Sequence, residues 1–246
     1  MRNIRIEIEY DGTNYCGWQV QERCRKKSIQ ETIEKALQKI LREKVKVIGS
    51  GRTDAGVHAK AQVADFRIKS QMPLARLQEG LNAVLPEDIA ITKINSVGPD
   101  FHSRFRAKAK VYRYTILNRM HRSALLRNYA YFCRYHLDIK LMRKEAAALL
   151  GRHNFRAFCA SGGAGKNQLK TIKRIAITRH DDLINIEIEA DGYLYNMVRN
   201  IVGTFIDIGR GQLAKGTIKR ILRCRDRRQA GPTAAARGLC LVKVKY

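Results

Sequence analysis

Along roughly its first hundred residues the chain switches repeatedly between an apolar period of two and one near 3.6, and this alternation limits the possible folds more than any single residue does. Ile4, Ile6, Ile8 and Tyr10 alternate as a strand with one face on a core. Ile29, Ile33, Ala36, Leu37, Ile40 and Leu41 then follow helical spacing behind a capping box from Ser28 to Glu31. Strands are expected around Val45 to Ile48 and His58 to Ile68. A helix follows from near Pro73 through Leu74, Leu77, Leu81 and Val84, then a strand from about Ile89 to Ile94. The order is β-α-β-β-α-β.

The rest of the chain repeats that order with longer loops. A strand is expected near Val111 to Leu117, a helix near Ile139 to Leu150 stopped by Gly151, and strands near Thr171 to Thr178 and Leu183 to Glu189. A helix from about Leu194 to Ile208 and a strand from Leu239 to Lys245 complete it. Two split β-α-β units in tandem make an α+β chain, with halves at residues 1–106 and 107–246. No low-complexity linker separates them, so the sheets are expected to merge into one mixed, mainly antiparallel sheet with a groove between the halves.

Charge points to the partner. Lys and Arg number 48 against 22 Asp and Glu, giving +26, and they are spread along the chain rather than gathered in a tail. Distributed cations line grooves and displace phosphate counterions, so nucleic acid is the expected partner. A membrane is disfavoured: the best apolar stretch, Leu194 to Ile208, is interrupted by Arg199 and Asp207, and the first residues lack the apolar core of a secretory signal. A cytoplasmic location is expected. The 6 cysteines show neither C-x-x-C pairing nor regular spacing and read as thiols. The 6 histidines are equally dispersed, so no metal is expected.

One short segment concentrates the chemistry. Gly51-Arg52-Thr53-Asp54-Ala55-Gly56-Val57-His58-Ala59 is a turn bracketed by glycines that presents one carboxylate, with an arginine two positions before it. A carboxylate beside a guanidinium stays ionised, its pKa lowered by roughly 1 to 3 units, which suits a nucleophile or base. Taken as an isolated G-R-T-D, the same residues would be an ordinary turn with a solvated ion pair.

In order along the chain, this loop and four further blocks resemble the tRNA pseudouridine synthase A family. The blocks are Tyr10-Asp11-Gly12-Thr13-Asn14-Tyr15-Cys16-Gly17-Trp18-Gln19, Phe101 to Ala107 with Lys110 to Tyr114, Met197 to Gly203, and Ala230 to Leu239. The resemblance implies the pseudouridine synthase fold, two ferredoxin- or RRM-like halves around a central basic cleft. It implies isomerisation of uridine to pseudouridine at positions 38, 39 and 40 of the tRNA anticodon stem-loop, by a homodimer acting on tRNA rather than DNA. The reaction breaks the N-glycosidic bond and rejoins the base through C5, so no cofactor is expected, and the chain carries no G-x-G-x-x-G.

Residue by residue, the resemblance makes Asp54 the catalytic carboxylate. It would attack C1′, add to C6 of the base, or remove the 2′ proton. Arg52 pairs with Asp54 or contacts the phosphate beside the target nucleotide. Tyr112 stacks on the extruded base, Arg199 holds the carboxylate ionised, and Leu239 packs on the base. Read without the family, Tyr112 and Tyr114 are strand aromatics, Arg199 a helix charge and Leu239 plain core. Departures from the family pattern are Ala235 for a usual proline, which loosens the turn before Leu239, Asn196 for a common histidine, and Asn154 for a frequent aspartate.

Other features weigh less. Ser161 to Asn167 suggests a phosphate loop but lacks P-loop spacing, so a surface loop is expected, with Lys166, Lys170, Lys173 and Arg174 near RNA. The basic run Arg223 to Arg228 is a solvated face or an RNA contact, the latter favoured by its place before the Ala-Gly-Pro-Thr turn. Trp18 reads as core, Asp11 as a turn residue that could brace the Asp54 loop, and His58 as a hydrogen-bonding support. Rival readings are an RNA-binding module without catalysis, a hydrolytic RNA glycosylase releasing uracil, and a synthase with shifted targets.

Overall fold

The computed structural model describes residues 1–20, 26–160 and 167–246. In chain order its elements begin with β1 (Arg2–Tyr10), α1 (Ile29–Leu41), β2 (Ile48–Gly49), β3 (His58–Ile68), α2 (Leu74–Val84), β4 (Ile89–Val97), β5 (Ala109–Asn118) and β6 (Tyr131–Cys133). They continue with α3 (Ile139–Ala146), β7 (Gly151–Asn154), β8 (Leu169–His180), β9 (Leu183–Ala190), α4 (Met197–Gly209), α5 (Thr217–Cys224) and β10 (Leu239–Lys245). Two compact units result: Met1–Lys108 with Cys240–Tyr246, and Ala109–Leu239. Both mix helices with mainly antiparallel strands, the α+β arrangement that the alternating periods require.

In the first unit the strand order is β4-β1-β3-β10, with β2 also on β3. β1 is antiparallel to both neighbours, whereas β10 joins β3 in parallel through Cys240 with His58 and Leu241 with Ala59. The alternating Ile4, Ile6 and Ile8 are fully buried, as are Ile29, Ile33 and Leu37 of α1 and Leu77 and Leu81 of α2. Each such side chain contributes about 1.5–3 kcal/mol by leaving water. Ser28 caps α1, its hydroxyl accepting from Glu31 N at 3.1 Å.

Local reading goes astray at two places here. The strand expected from Val45 shrinks to Ile48–Gly49, because side chains of α1 take the backbone groups a ladder would use: Val47 N donates to Glu34 Oε1 at 2.9 Å, and Gln30 Nε2 donates to Val47 O at 3.1 Å. Val45 and Val47 are buried all the same. Val84, counted with the apolar stripe of α2, lies exposed at the helix end.

The second unit orders its strands β5-β9-β8-β7, all antiparallel neighbours, with β6 parallel to β5. Ile184, Ile186 and Ile188 of β9 and Tyr114 and Ile116 of β5 are fully buried. α3 tightens into a 3-10 turn at Ala147–Leu149 before Gly151 ends it at φ 92°. α4 begins at Met197 rather than Leu194, because Asn196 sits outside it in the left-handed region at φ 58°. β6, β7 and α5 go beyond the periodicity. α5 is held by a distant cap: buried Glu145 of α3 accepts from Gly216 N at 2.7 Å and Ile218 N at 3.1 Å.

Cys24 and the glycine-rich loop through Lys166 lie outside the described residues. Among the described residues there is no disulfide and no cluster of three His, Cys, Asp or Glu able to hold a metal. No described helix is long and apolar enough to cross a membrane.

Candidate active site

The Asp54 loop connects β2 to β3 and is fixed from both sides. Fully buried Gln62 of β3 accepts from Ser50 Oγ at 2.7 Å and donates to Gly51 O at 2.9 Å. Buried Thr53 meets the Tyr10 hydroxyl at 2.8 Å, and its carbonyl accepts from Trp18 N at 3.0 Å. Burial pushes the Tyr10 phenol well above its ordinary pKa, so it stays protonated beside Thr53. Val57 N donates to Asp54 O at 3.1 Å, closing the turn.

Two glycines make this geometry possible. Gly56 stands at φ 77°, and Gly17 at φ 104°, where an added Cβ would lie 2.5 Å from Thr53 O. Gly51, read as conformationally special, is not in the left-handed region. The block from Tyr10 to Trp18 is therefore the wall against which the loop is built. Trp18 is buried, as expected of a core residue.

Asp11 closes the turn after β1 and lies against His58. Its Oδ1 accepts from Thr13 N at 2.9 Å, and it lies 3.0 Å from His58 Nδ1, directly after the loop. Gly12 N donates to that same Nδ1 at 3.1 Å, so this nitrogen lies between a donor and a carboxylate. Asp54 is half-buried at the loop's apex. Arg52 is exposed, and among the described residues no ion pair joins Arg52 to Asp54.

Tyr112, Arg199 and Leu239 belong to the second unit. Tyr112 of β5 is 6% exposed, its ring edge-to-face with Tyr193 at 5.0 Å. The Tyr193 hydroxyl lies 2.7 Å from Ile188 O and 3.0 Å from Lys110 O, and burial raises its pKa. Arg199 sits in the first turn of α4. Its Nε donates to Ala234 O at 2.7 Å and its Nη1 to Asn196 Oδ1 at 3.0 Å, while its carbonyl accepts from Ala234 N at 3.1 Å. The Asn196 departure thus supplies both the left-handed turn before α4 and an acceptor for Arg199. Asn154 likewise finds a use, accepting from Arg156 N at 3.0 Å. Leu239 is 5% exposed where β10 opens.

A polar network missed in the sequence fixes the segment leading to Leu239. Fully buried Asn200 and Thr204 of α4 meet it: Thr233 Oγ1 donates to Asn200 Oδ1 at 2.6 Å, and Gly231 N donates to Thr204 Oγ1 at 3.0 Å. Arg227 reaches Gly231 O at 2.9 Å and Asn200 Oδ1 at 3.1 Å. That guanidinium is a bracket inside the fold, whereas Arg223, Arg225 and Arg228 of the same basic run are exposed. Gly203 lets the two backbones touch, since a Cβ there would stand 1.7 Å from Pro232 O. The Tyr114 hydroxyl donates to Ala235 O at 2.9 Å, pinning the same segment to β5.

A sequence model of the family described as tRNA pseudouridine synthase matches residues 6–106 and 146–246. The chain is 45% identical to the tRNA pseudouridine synthase A of Thermoanaerobacter sp. (strain X514) over 246 residues, covering all of both chains. It is 46% identical to that of Acetivibrio thermocellus, again over the whole of both. Against the tRNA pseudouridine synthase A 2 of Clostridium tetani it is 46% identical, over 100% of this chain and 99% of the relative. With a family match on both sides of the chain and full-length relatives well above 40% identity, the chain belongs to the tRNA pseudouridine synthase family.

Proposed function

We propose that this chain isomerises uridine to pseudouridine in tRNA and that Asp54 is the catalytic carboxylate. The observation that carries the reading is the loop itself: a half-buried carboxylate on a backbone pinned by Gln62, Tyr10 and Trp18, in a chain that the family matches almost throughout. In the reaction the N1–C1′ bond breaks, the base turns, and a C5–C1′ bond forms. The C5 proton leaves and N1 gains one, so the product is an isomer and neither oxidant nor added group is consumed. A carboxylate fixed beforehand serves attack on C1′, addition to C6 or removal of the 2′ proton equally well, because each needs a base or nucleophile that does not reorganise.

The first half, residues 1–106, supplies the catalytic loop, and the second, residues 107–246, supplies further substrate contacts. Arg52 takes a phosphate near the target nucleotide, and Tyr112, Arg199 and Leu239 bind the extruded nucleotide, offsetting the few kcal/mol that unstacking costs. The targets are uridines 38, 39 and 40 of the anticodon stem-loop, selected by a homodimer that reads tRNA shape in the cytoplasm.

Tritium release from [5-³H]uridine-labelled tRNA tests this, since C5 tritium leaves only when the base rejoins through C5. The wild type is expected to release tritium and Asp54→Ala to fall to background while still binding tRNA, with carbodiimide primer extension mapping stops to the anticodon arm. Release by Asp54→Ala would remove the carboxylate from the mechanism. Free uracil in place of tritium exchange would make the protein a glycosylase.

A further inference from the structure

After β4 the first unit carries a tip, Arg104-Phe105-Arg106, that is held rigidly and left bare. Ser103 beneath it is fully buried and fixed at three atoms. Its N–H donates to Asp65 Oδ1 at 2.7 Å, its hydroxyl to Ile48 O at 2.6 Å, and its carbonyl accepts from the Tyr246 hydroxyl at 2.8 Å. His102 Nδ1 accepts from the N–H of Arg104 at 3.1 Å and of Phe105 at 3.4 Å, and the His102 carbonyl accepts from Arg106 N at 3.0 Å. From this base Phe105 projects 76% exposed, its ring centre 4.3 Å from that of His102 and 5.7 Å from the Arg104 guanidinium carbon. Arg104 and Arg106 are exposed on either side.

A phenyl ring left in water forgoes its burial free energy, and here a buried serine and a capping histidine hold the backbone so that it stays there. Its immediate flanks are cationic. A second copy of a chain with net charge +26 would bring like charge against those arginines, whereas an unpaired base brings a π-face for the ring and phosphates for the guanidiniums. We propose that the Arg104-Phe105-Arg106 tip is a stacking platform, with an unstacked base of the RNA substrate on the Phe105 ring and its neighbouring phosphates on Arg104 and Arg106. The proposal rests on the reading of the chain as an enzyme acting on RNA.

The test uses the whole protein and unmodified transcribed tRNA, with affinity measured by filter binding across a salt series and wild-type tritium release measured beside it. Phe105→Ala is expected to weaken binding about 5- to 150-fold, the range of one base-aromatic stack, with an unchanged slope of log K against log salt. Phe105→Trp keeps wild-type affinity and Phe105→Leu does not. Arg104→Ala and Arg106→Ala each reduce the slope by roughly 0.7–0.9. The ring is exposed, so thermal midpoints stay at the wild-type value. Wild-type affinity in Phe105→Ala, or full rescue by leucine, overturns the platform. So does a smaller sedimentation coefficient for Phe105→Ala, which would put a second copy on the ring. Tritium release by the wild type is read separately: with release intact and Phe105→Ala binding normally, only the platform falls, whereas an inactive wild type sinks the functional reading beneath it.

Discussion

Gly203→Ala sets two physical effects against each other, and the structure decides the sign. Alanine in a helix interior is favoured over glycine by about 1 kcal/mol, so propensity alone predicts a more stable protein. The new methyl would stand 1.7 Å from Pro232 O, however, and that neighbour is backbone rather than a side chain able to swing away. The segment must retreat from α4 by more than about 1 Å, beyond the tolerance of the hydrogen bonds that hold it there. Four cross that gap: Gly231 N to Thr204 Oγ1, Thr233 Oγ1 to Asn200 Oδ1, and the two between Arg199 and Ala234. Losing two to four of them at about 1 kcal/mol each, less the propensity gain, leaves a net destabilisation of about 1–3 kcal/mol. Urea denaturation monitored by circular dichroism should show a lower midpoint with an unchanged slope. A midpoint equal to or above wild type would refute the claim that this backbone contact is tight.

Two further substitutions probe smaller effects. Ala235 has φ −58° and ψ 142°, a conformation proline adopts without strain, no described residue accepts from its N–H, and its carbonyl remains available to Tyr114. Ala235→Pro should therefore raise stability by about 0.4–1 kcal/mol through the unfolded chain, and a lower urea midpoint would show that the segment relies on freedom at this position. Asp207 has its pKa raised by burial, only partly opposed by Arg210. The folded state then holds the proton more tightly than the unfolded state, so this group stabilises at low pH and loses that contribution as pH rises from the unfolded value of 3.8 through the raised folded value. Asp207→Asn removes that loss. Its stability relative to wild type should increase across the window and then level off, and a difference that is flat with pH would exclude the linkage.

What the sequence made legible is what local physics dictates. The period of two in Ile4, Ile6 and Ile8 and the helical stripe of α1 follow from one buried face each, and Ser28 announces the helix start by chemistry confined to three residues. The Asp54 loop was visible because both its glycines and its carboxylate lie within a few positions. Features completed by distant partners were not. β2 is short because Gln30 and Glu34 reach across from α1. α5 runs into the basic run with only Ile218 and Ile221 as buried apolar residues on its short length, and its cap comes from Glu145 in another helix. Arg227 reads with its run as a solvated face or an RNA contact because nothing local shows that Asn200 and Gly231 await it. The fate of β10, which belongs with the first unit, depends on a partner strand that no neighbouring residue names.

The last strand also sets a clock on synthesis. His58 and Ala59, which leave the Asp54 loop, pair in parallel with Cys240 and Leu241, and the whole of Ala109–Leu239 is made in between. At about 5–20 residues per second, the ribosome takes roughly 7–26 s to cross that interval. Throughout it the first unit has its hydrophobic faces and the Asp54 carboxylate, yet the start of β3 offers bare N–H and C=O groups to any passing strand. The flank of the Asp54 loop is thus the last part of the nascent first unit to be closed. Chaperone demand should peak while the second unit is being translated, and a ribosome stalled just before Cys240 would display that open edge.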